Sequence, residues 1–332
     1  MTMDANRELR RKIMGYLVSQ AIFVLCELGV PDRLAGGPVR LDILAGASGA
    51  EPDALRRFLR VLVGEGLFTE TTPDNFGLTP MGELLRTDVE GSLHHLAGLM
   101  GGEAYDAWGS ASHSVRTGTA AFDQVFGQPY FSWLADHPAA AARFDLGQAG
   151  LVEMRLLPLL DRDWAGVTSV VDVGGGNGVL LARLAARHRH VTGVVYDLPH
   201  VVTTAGPLLR DVGVGDRVVT VGGDFFEKVP AGADAYVLSQ ILHDWNDERA
   251  GVILANCRQA MPDHARLLIV EQVLDDDAGA DPAALLDLHM LVLLGGRERT
   301  RSDWERLLAG SGFVLDSVAP GPRSSLLTAR PR

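Results

Sequence analysis

The stretch Ser169-Val-Val-Asp-Val-Gly-Gly-Gly-Asn-Gly178 decides the fold of this chain. Its β-branched apolar residues predict a buried parallel strand that ends at three consecutive glycines. The segment 179–187 follows with apolar residues at helical spacing, so the glycines form a turn between a strand and a helix. In a doubly wound α/β sheet such a turn cradles a nucleotide, because glycine tolerates positive φ and leaves room for a ligand.

The spacing of the glycines bears on which ligand is bound. They read G-x-G-x-G, whereas the dinucleotide fingerprint is G-x-G-x-x-G. A second apolar run, 191–196, ends next to Asp197, and an acid at the end of the second strand is placed to accept hydrogen bonds from two ribose hydroxyls. Asp197 can also be an ordinary capping residue before Leu198-Pro199. Together these features indicate an adenosyl ligand and leave its identity open.

Bulk composition excludes several classes of protein. A length of 332 residues suggests two domains, and a net charge of −12 argues against a polyanionic partner. The two cysteines, Cys26 and Cys257, cannot form a disulfide framework. The N-terminus has no apolar targeting core, and no uncharged apolar run reaches the ~18 residues of a membrane span. We therefore expect a cytoplasmic protein without membrane contact.

The first hundred residues predict a helical, winged-helix domain at 1–100. Its expected elements are three helices and a β-hairpin, at 8–30, 41–48, 51–63, and 66–70 with 76–79. A winged helix invites a DNA-binding hypothesis, with Arg56, Arg57 and Arg60 on the last helix. Residues 1–100 carry 10 Arg and Lys against 13 Asp and Glu, whereas a DNA reader should be basic. Packing of a homodimer is the favoured use of this domain, since its first helix has little of its own domain to pack on.

Two further segments complete the predicted domain organisation. Residues 101–164 form a helical linker rich in aromatic residues, which we expect to contribute to a substrate pocket. In 165–332 strands and helices alternate, which predicts a doubly wound α/β domain with a seven-stranded sheet. The strands are expected at 169–173, 191–196, 217–221, 234–238, 265–270, 313–318 and 324–329. The helices are expected at 178–187, 199–210, 247–260, 281–293 and 302–310.

Polar residues at the ends of the predicted strands carry the chemistry, because ligands bind outside the carboxyl ends of parallel strands. The third strand leads into Gly223-Asp-Phe-Phe226, an acid beside an aromatic ring, suited to an adenine. His243 follows the fourth strand, Glu271 ends the fifth, and Glu298 lies in a later loop. A histidine with acids at neighbouring strand ends is typical of a general base and its orienting partners. The cluster His94-His95 with His113 has no metal-ligand spacing, so no metal site is predicted.

In combination, several motifs resemble those of one known family. They are Val171-Asp-Val-Gly-Gly-Gly-Asn-Gly178, Asp197-Leu-Pro-His200, Gly223-Asp-Phe-Phe226, Leu242-His-Asp-Trp-Asn-Asp-Glu248, Asn256-Cys-Arg258, Asp287-Leu-His-Met290 and Gly296-Arg-Glu-Arg-Thr300. The chain resembles the S-adenosylmethionine-dependent small-molecule O-methyltransferases, which include plant caffeate and flavonoid enzymes and bacterial polyketide-tailoring enzymes. The resemblance runs from about residue 10 to the C-terminus.

The resemblance implies a homodimer built through the N-terminal region and a metal-free transfer that leaves S-adenosylhomocysteine. It implies roles for individual residues, which are listed here by role: His243 as base, with Glu271, Glu298 and Asp244 around it; Gly174, Gly176, Asp197, Leu198, Asp224, Phe225 and Ser239 for the cofactor; Phe131, Trp133, Phe144, Gln148 and Met290 for the acceptor. Two positions depart from the family pattern. Family members commonly carry Met at Gln148, and plant members carry Lys at Ser239.

The chemistry of these residue types agrees with methyl transfer. The sulfonium methyl is already activated, so the enzyme must mainly align an acceptor oxygen behind it. A phenol has a pKa near ~10 and histidine near ~6.5, so His243 is expected to assist transfer rather than to ionise the acceptor first. The expected acceptor is a hydroxyl of an aromatic secondary metabolite, phenolic or of polyketide type. Two alternatives stay open: hydroxylation, decarboxylation or cyclisation at the same cofactor site, and an NAD-dependent oxidoreductase.

Overall fold

The chain folds into two units, and the computed structural model describes residues 3–149, 152–275 and 283–332. The first unit comprises the described residues of Met1–Ser110 and Phe122–Val152. The second comprises those of Ala111–Ala121 and Glu153–Arg332. The chain therefore passes from the first unit to the second at 111–121, returns to the first unit over 122–152 and then enters the main part of the second.

Helices account for most of the described elements. The α-helices, in chain order, are α1 (Met3–Ile13), α2 (Gly15–Glu27), α3 (Val30–Arg33), α4 (Leu41–Ser48), α5 (Pro52–Gly64), α6 (His94–Gly101), α7 (Glu103–Trp108), α8 (Ser112–Thr117), α9 (Ala121–Phe126), α10 (Tyr130–Asp136), α11 (Pro138–Ala149), α12 (Val152–Leu160), α13 (Val179–Arg187), α14 (Pro199–Val202), α15 (Ala205–Asp211), α16 (Asp247–Ala260), α17 (Ala283–Leu294) and α18 (Arg301–Gly310). Two 3₁₀ turns lie at Gly82–Leu85 and Leu242–Asp244.

The strands divide between a small sheet in the first unit and a large one in the second. They are β1 (Val39–Arg40), β2 (Phe68–Thr72), β3 (Asn75–Leu78), β4 (Ser169–Val173), β5 (Thr192–Asp197), β6 (Val218–Gly222), β7 (Ala235–Ser239), β8 (Arg266–Glu271), β9 (Val273–Leu274), β10 (Arg299–Thr300), β11 (Phe313–Ala319) and β12 (Ser325–Pro331).

The first unit contains the expected winged-helix arrangement with two differences in extent. Helix α5 begins at Pro52 and buries Leu55, Leu59 and Leu62, which lie one above the other at helical spacing. The single helix expected over 8–30 is two helices, α1 and α2, and the second begins at Gly15, a residue of low helix propensity. The hairpin turn is also tighter than expected, because β2 continues to Thr72 and β3 already begins at Asn75.

Two of the arginines considered for DNA binding are paired with acids of the hairpin. Arg56 Nε donates to Asp74 Oδ1 at 2.7 Å, and Arg60 Nε lies 3.8 Å from Glu70 Oε2. Strand β3 pairs with both β2 and β1 in an antiparallel sheet. These ion pairs compete with phosphate for the guanidinium groups, so they weigh against a DNA-binding surface here.

The second unit is built on a seven-stranded sheet of order β11-β12-β8-β7-β4-β5-β6. Strands β4 to β8 run parallel, and β12 is antiparallel to both β8 and β11. This confirms the doubly wound α/β fold predicted from the sequence. The chain leaves β4 toward β5 on one side and returns to β7 on the other, so β4 and β7 form the switch point where ligands bind in such sheets.

Helices cover the sheet and complete its core. Helix α13 buries five apolar side chains, and α16 buries Ala250, Ile253, Leu254 and Cys257. The helix expected over 199–210 is two helices, α14 and α15. The predicted helix at 281–293 corresponds to α17, and its first two residues lie outside the described part. Among the described residues, no helix is long and apolar enough to cross a membrane.

Candidate active site

The glycine turn after β4 has the backbone conformation and the open space that a ligand requires. Gly174, Gly176 and Gly178 have φ of +74°, +56° and +77°, a region that other residues rarely adopt. A Cβ on Gly174 would lie within 2.4 Å of the Ile241 side chain. At Gly176, by contrast, no described heavy atom lies within 4 Å of where a Cβ would stand. The turn is therefore tightly packed at its first glycine and open at its second.

Asp197, at the end of β5, is tied to this turn. Its Oδ2 accepts a hydrogen bond from the Gly176 amide at 2.9 Å, and its Oδ1 accepts one from the Leu198 amide at 2.7 Å. Burial raises the pKa of Asp197, while these two amides lower it. The carboxylate is held beside the open part of the turn, where ribose hydroxyls are expected.

A second acid under the turn was not identified from the sequence. Asp172 lies within the apolar strand β4, where it is 2% exposed. Burial, and then the neighbouring Asp197, raise its pKa to about 7. Its Oδ2 is buried and has no hydrogen-bond partner among the described residues. It lies beneath Gly175, where a Cβ would come within 2.8 Å of it. The available signal in the sequence was an acid inside an otherwise apolar strand.

The residues after β6 and β7 lie at the same edge of the sheet. Asp224 Oδ1 accepts a hydrogen bond from the Phe226 amide at 2.8 Å, and Asn256 Nδ2 donates to the Phe225 carbonyl at 2.9 Å. The Phe225 ring would lie 3.6 Å from a Cβ on Gly174. Ser239 is the last residue of β7. The predicted cofactor residues are thus brought together around the glycine turn.

His243 lies in the 3₁₀ turn after β7, and three carboxylates surround its imidazole. Its Nδ1 lies 2.6 Å from Glu298 Oε1 and 3.6 Å from Glu271 Oε2, and its Nε2 lies 3.3 Å from Asp244 Oδ1. The Glu271 and Glu298 side chains are fully buried, and that of His243 is 8% exposed. The hydrogen bond to Glu298 assigns the proton to Nδ1 in the neutral ring and leaves Nε2 as the basic nitrogen.

The charges around His243 correct the pKa expected from the sequence. Burial lowers the pKa of His243, but Glu271, Asp244 and Glu298 together outweigh it and raise the pKa to about 10. Burial, opposed by His243 and reinforced by the two glutamates, raises the pKa of Asp244 to about 7. The value of ~6.5 used above for His243 belongs to an exposed imidazole and was wrong for this environment.

The loop that carries His243 is held by groups that the sequence did not single out. The buried guanidinium of Arg299 donates to the carbonyls of Leu242 and Trp245, each at 2.8 Å. The Arg297 amide donates to the His243 carbonyl at 2.8 Å. A Cβ on Gly296 would lie within 2.1 Å of that carbonyl, so only glycine allows this approach. The Gly296-Arg-Glu-Arg-Thr300 motif therefore fixes the loop that carries His243 as well as supplying Glu298.

The residues predicted for the acceptor fall in both units. In the first unit, Trp133 stacks on His137 at 4.0 Å between ring centroids, and Phe144 lies edge-on to Phe131 at 6.1 Å. Phe131 is 37% exposed, and Gln148 is partly buried on α11. In the second unit Met290 lies on α17 and is 7% exposed. Their role toward an acceptor stays a prediction.

Sequence comparison now identifies the class of protein. The family model of the O-methyltransferase dimerisation domain matches residues 11–88, and the family model of the O-methyltransferase domain matches residues 108–314. The second match covers more than half of the chain, so the chain belongs to the O-methyltransferase family. It is an enzyme of that family that uses S-adenosylmethionine. This confirms the resemblance stated from the motifs.

Individual relatives show the range of the family. Phenazine O-methyltransferase PhzM of Lysobacter antibioticus is 44% identical over 97% of this chain and 95% of its own length. The 8-amino-8-demethylriboflavin N,N-dimethyltransferase of Streptomyces davaonensis is 36% identical over 91% of this chain and 88% of its own length. The crystal structure of NcsB1, from neocarzinostatin biosynthesis, contains S-adenosylmethionine and 2-hydroxy-5-methyl naphthoic acid. It has a TM-score of 0.86 and 34% identity, covering 95% of this chain and 96% of NcsB1.

Proposed function

We propose that this enzyme methylates a hydroxyl of an aromatic secondary metabolite, phenolic or of polyketide type, with His243 as general base. The observation that carries the proposal is the 2.6 Å hydrogen bond from His243 Nδ1 to Glu298, which leaves Nε2 to accept a proton. A base is useful because the acceptor oxygen becomes a stronger nucleophile as it loses its proton.

The glycine turn and the neighbouring strand ends would hold the cofactor. The open space at Gly176 agrees with a ligand there. Gly174 and Gly176 would meet the methionine part, Asp197 the ribose, and Asp224 with Phe225 the adenine; Leu198 and Ser239 complete the set. When bound, the cofactor supplies an electrophilic methyl group on a sulfonium.

The base cluster would manage one proton. As the acceptor oxygen attacks, its proton passes to Nε2 of His243, and Nδ1–H stays bound to Glu298 Oε1. The carboxylates of Glu271, Glu298 and Asp244 then stabilise the imidazolium. The raised pKa of His243 is close to the ~10 of a phenol, so the proton moves between groups of similar affinity.

An aromatic acceptor is supported by the composition of the predicted pocket residues and by the relatives. Phe131, Trp133 and Phe144, with Gln148 and Met290, are the residues that we assign to it. Flat rings and a flexible thioether suit a planar apolar ligand. One relative is named a phenazine O-methyltransferase, and the crystal structure of NcsB1 contains a naphthoic acid; both compounds are planar aromatic systems.

We also propose that the protein is a homodimer formed through its N-terminal helices. Near the junction of α1 and α2 a row of apolar side chains is 45–64% exposed: Leu9, Ile13, Met14, Tyr16 and Leu17. Tyr16 stacks on Tyr105 at 6.4 Å, and Met100 and Trp108 of the same unit are also exposed. Such a contiguous apolar surface favours an interface over open solvent.

Light scattering of wild type and Ile13→Lys tests the homodimer. The variant should change the dimer into a ~36 kDa monomer, and a monomeric wild type would contradict the proposal.

Single-turnover methyl transfer by His243→Ala tests the base. With cofactor saturating, its rate should fall ~10²–10⁴-fold, the usual effect of losing a positioned base. Affinity for S-adenosylhomocysteine, measured by calorimetry, should change little. Equal rates for wild type and variant at every pH would show that His243 has only a structural role.

A panel of phenols, aromatic amines and aromatic carboxylates with labelled cofactor tests the acceptor class. We expect label on phenolic oxygens. The N-methyltransferase among the relatives makes the amines a necessary part of this panel. Labelling of amines or carboxylates alone would contradict the proposed acceptor.

A further inference from the structure

The turn that connects β7 to His243 contains a residue with a strained backbone. Gln240 has φ of +57°, and Asp74 is the other non-glycine residue with positive φ in the described part of the chain. A side chain with a Cβ is disfavoured in this left-handed region, so other contacts must hold Gln240 there. Residues kept in such conformations are often found at functional sites.

The left-handed residue aims three consecutive amides at one oxygen. Ile241, Leu242 and His243 each donate a backbone hydrogen bond to Glu271 Oε1, at 3.0, 2.9 and 3.4 Å. A left-handed residue followed by a right-handed one, as Ile241 is here, forms a concave nest of amides that binds anions. The nest fixes one oxygen of the Glu271 carboxylate.

The side chain of Gln240 holds the other oxygen. Its Nε2 donates to Glu271 Oε2 at 3.1 Å and to the Val270 carbonyl at 3.2 Å. Glu271 Oε2 is the oxygen that lies 3.6 Å from His243 Nδ1. The amide group of Gln240 therefore lies against the same carboxylate oxygen that faces the base.

We propose that Gln240 is a positioning residue of the active site, whose left-handed backbone and side-chain amide together hold the Glu271 carboxylate against the Nδ1 side of His243. The inference rests on the proposed role of His243 as base. Gln240 touches neither acceptor nor reacting atoms in this account; it acts through Glu271.

Several charged groups share this environment. His243 faces Glu271 on β8, Asp244 in its own turn and Glu298 before β10. Burial lowers the pKa of His289, on α17, and the charge of His243 lowers it further. Glu271 also interacts electrostatically with Arg299, on β10, and with Arg155, on α12. Since the other charges remain, a loss of the Gln240 amide changes Glu271 selectively.

The consequence is a shift in the pH dependence of the base. Without the amide, the Glu271 carboxylate is no longer held against Nδ1 of His243 and can turn Oε2 away from it. The negative charge then lies farther from the imidazole, so the pKa of His243 falls. We expect a downward shift of about one pH unit, the size that one buried hydrogen bond produces.

Two substitutions remove the side-chain donor of Gln240, and they differ in how easily the backbone keeps its positive φ. Gln240→Met has a similar shape without the donor, and Gln240→Gly removes the donor while accepting positive φ without strain. Gln259→Met, at an exposed position on α16, is the matched control. The pKa of His243 is measured by NMR of labelled histidine in the enzyme without substrates, with its resonance assigned from His243→Gln, and single-turnover rates are measured across pH.

Both Gln240 variants should lower the pKa of His243 and move the acid side of the rate profile to lower pH by about one unit, with rates at high pH about threefold lower. Gln259→Met should match wild type. A wild-type pKa in Gln240→Met, whether or not Gln240→Gly shifts it, would overturn the proposal, and Gln240→Gly alone decides if the Met variant does not fold. If His243→Gln transfers methyl as fast as wild type while the NMR shift still occurs, the proposed function fails and the positioning role stands.

Discussion

Two turns at the carboxyl edge of the same sheet solve one conformational problem in different ways. The turn after β4 passes through left-handed backbone at glycines, and the turn after β7 does so at Gln240. At Gly176 the space that a side chain would occupy is open. At Gln240 the side chain is present and bonds Glu271 and Val270.

The difference follows from what each turn must hold. A turn that cradles a ligand needs backbone amides and free space, so glycine is suited to it. A turn that orients a catalytic side chain needs contacts within the protein, and a longer residue can supply them. Three predictions test this comparison, in order of decreasing effect.

The largest effect is expected from filling the open turn. Gly176→Ala places a Cβ where no described atom lies within 4 Å, in space that we assign to the cofactor. Affinity for S-adenosylmethionine should fall about 10²-fold, the scale of a misplaced ligand. Calorimetric titration measures it.

Gly213→Ala is the matched control for this change. Gly213 also has positive φ, +74°, and also has no described atom within 4 Å of a Cβ. Both variants should lose a similar ~1–2 kcal/mol of stability in thermal unfolding, from strain alone. Equal cofactor affinity in the two variants would show that Gly176 does not border the cofactor.

An intermediate effect is expected from neutralising Glu298. The raised pKa of His243, about 10, means that the base form grows as pH rises from 7, so the rate of transfer should rise over the same range. Glu298→Gln removes one of the anions that raise this pKa and keeps an oxygen for Nδ1–H. The rising part of the single-turnover profile should move to lower pH by about two units, and the plateau rate at high pH should fall about tenfold because the imidazole is a weaker base. A profile centred near pH 6.5 in wild type would contradict the raised pKa.

The smallest effect is expected from chelation. The Nδ1 atom of His243 and one oxygen each of Glu271 and Glu298 lie within 4.8 Å of one another. Nδ1 of His243 is hydrogen-bonded to Glu298, and Glu271 accepts hydrogen bonds from backbone amides of the turn after β7. We therefore expect dialysis against EDTA to leave the rate of methyl transfer unchanged, with metal content measured by mass spectrometry. A loss that added Mg²⁺ or Zn²⁺ restores would show that the transfer requires a metal.

The parallel strands and the residues at their ends were predictable because both are local features. Valine-rich runs that end in glycine or an acid encode a buried strand and its turn within about ten residues. Asp197 and Glu271 end such a run, and Asp224 and His243 follow one within four residues. Since the carboxyl ends of parallel strands meet at one edge, their proximity followed from the topology. Glu298 was noted only as an acid in a later loop, and its role beside His243 entered through the family resemblance.

Other features depend on pairings between distant segments and were decided by the tertiary structure. Glu298 bonds His243 across 55 residues, and the raised pKa of His243 depends on Glu271 and Glu298, two buried carboxylates that no local pattern brings beside it. The left-handed backbone of Gln240 is of the same kind. Backbone conformation at Gln240 is set by the Glu271 carboxylate that it binds, 31 residues away. The chain alone specifies which residues reach the edge of the sheet; burial and long-range hydrogen bonds specify their charge and orientation there.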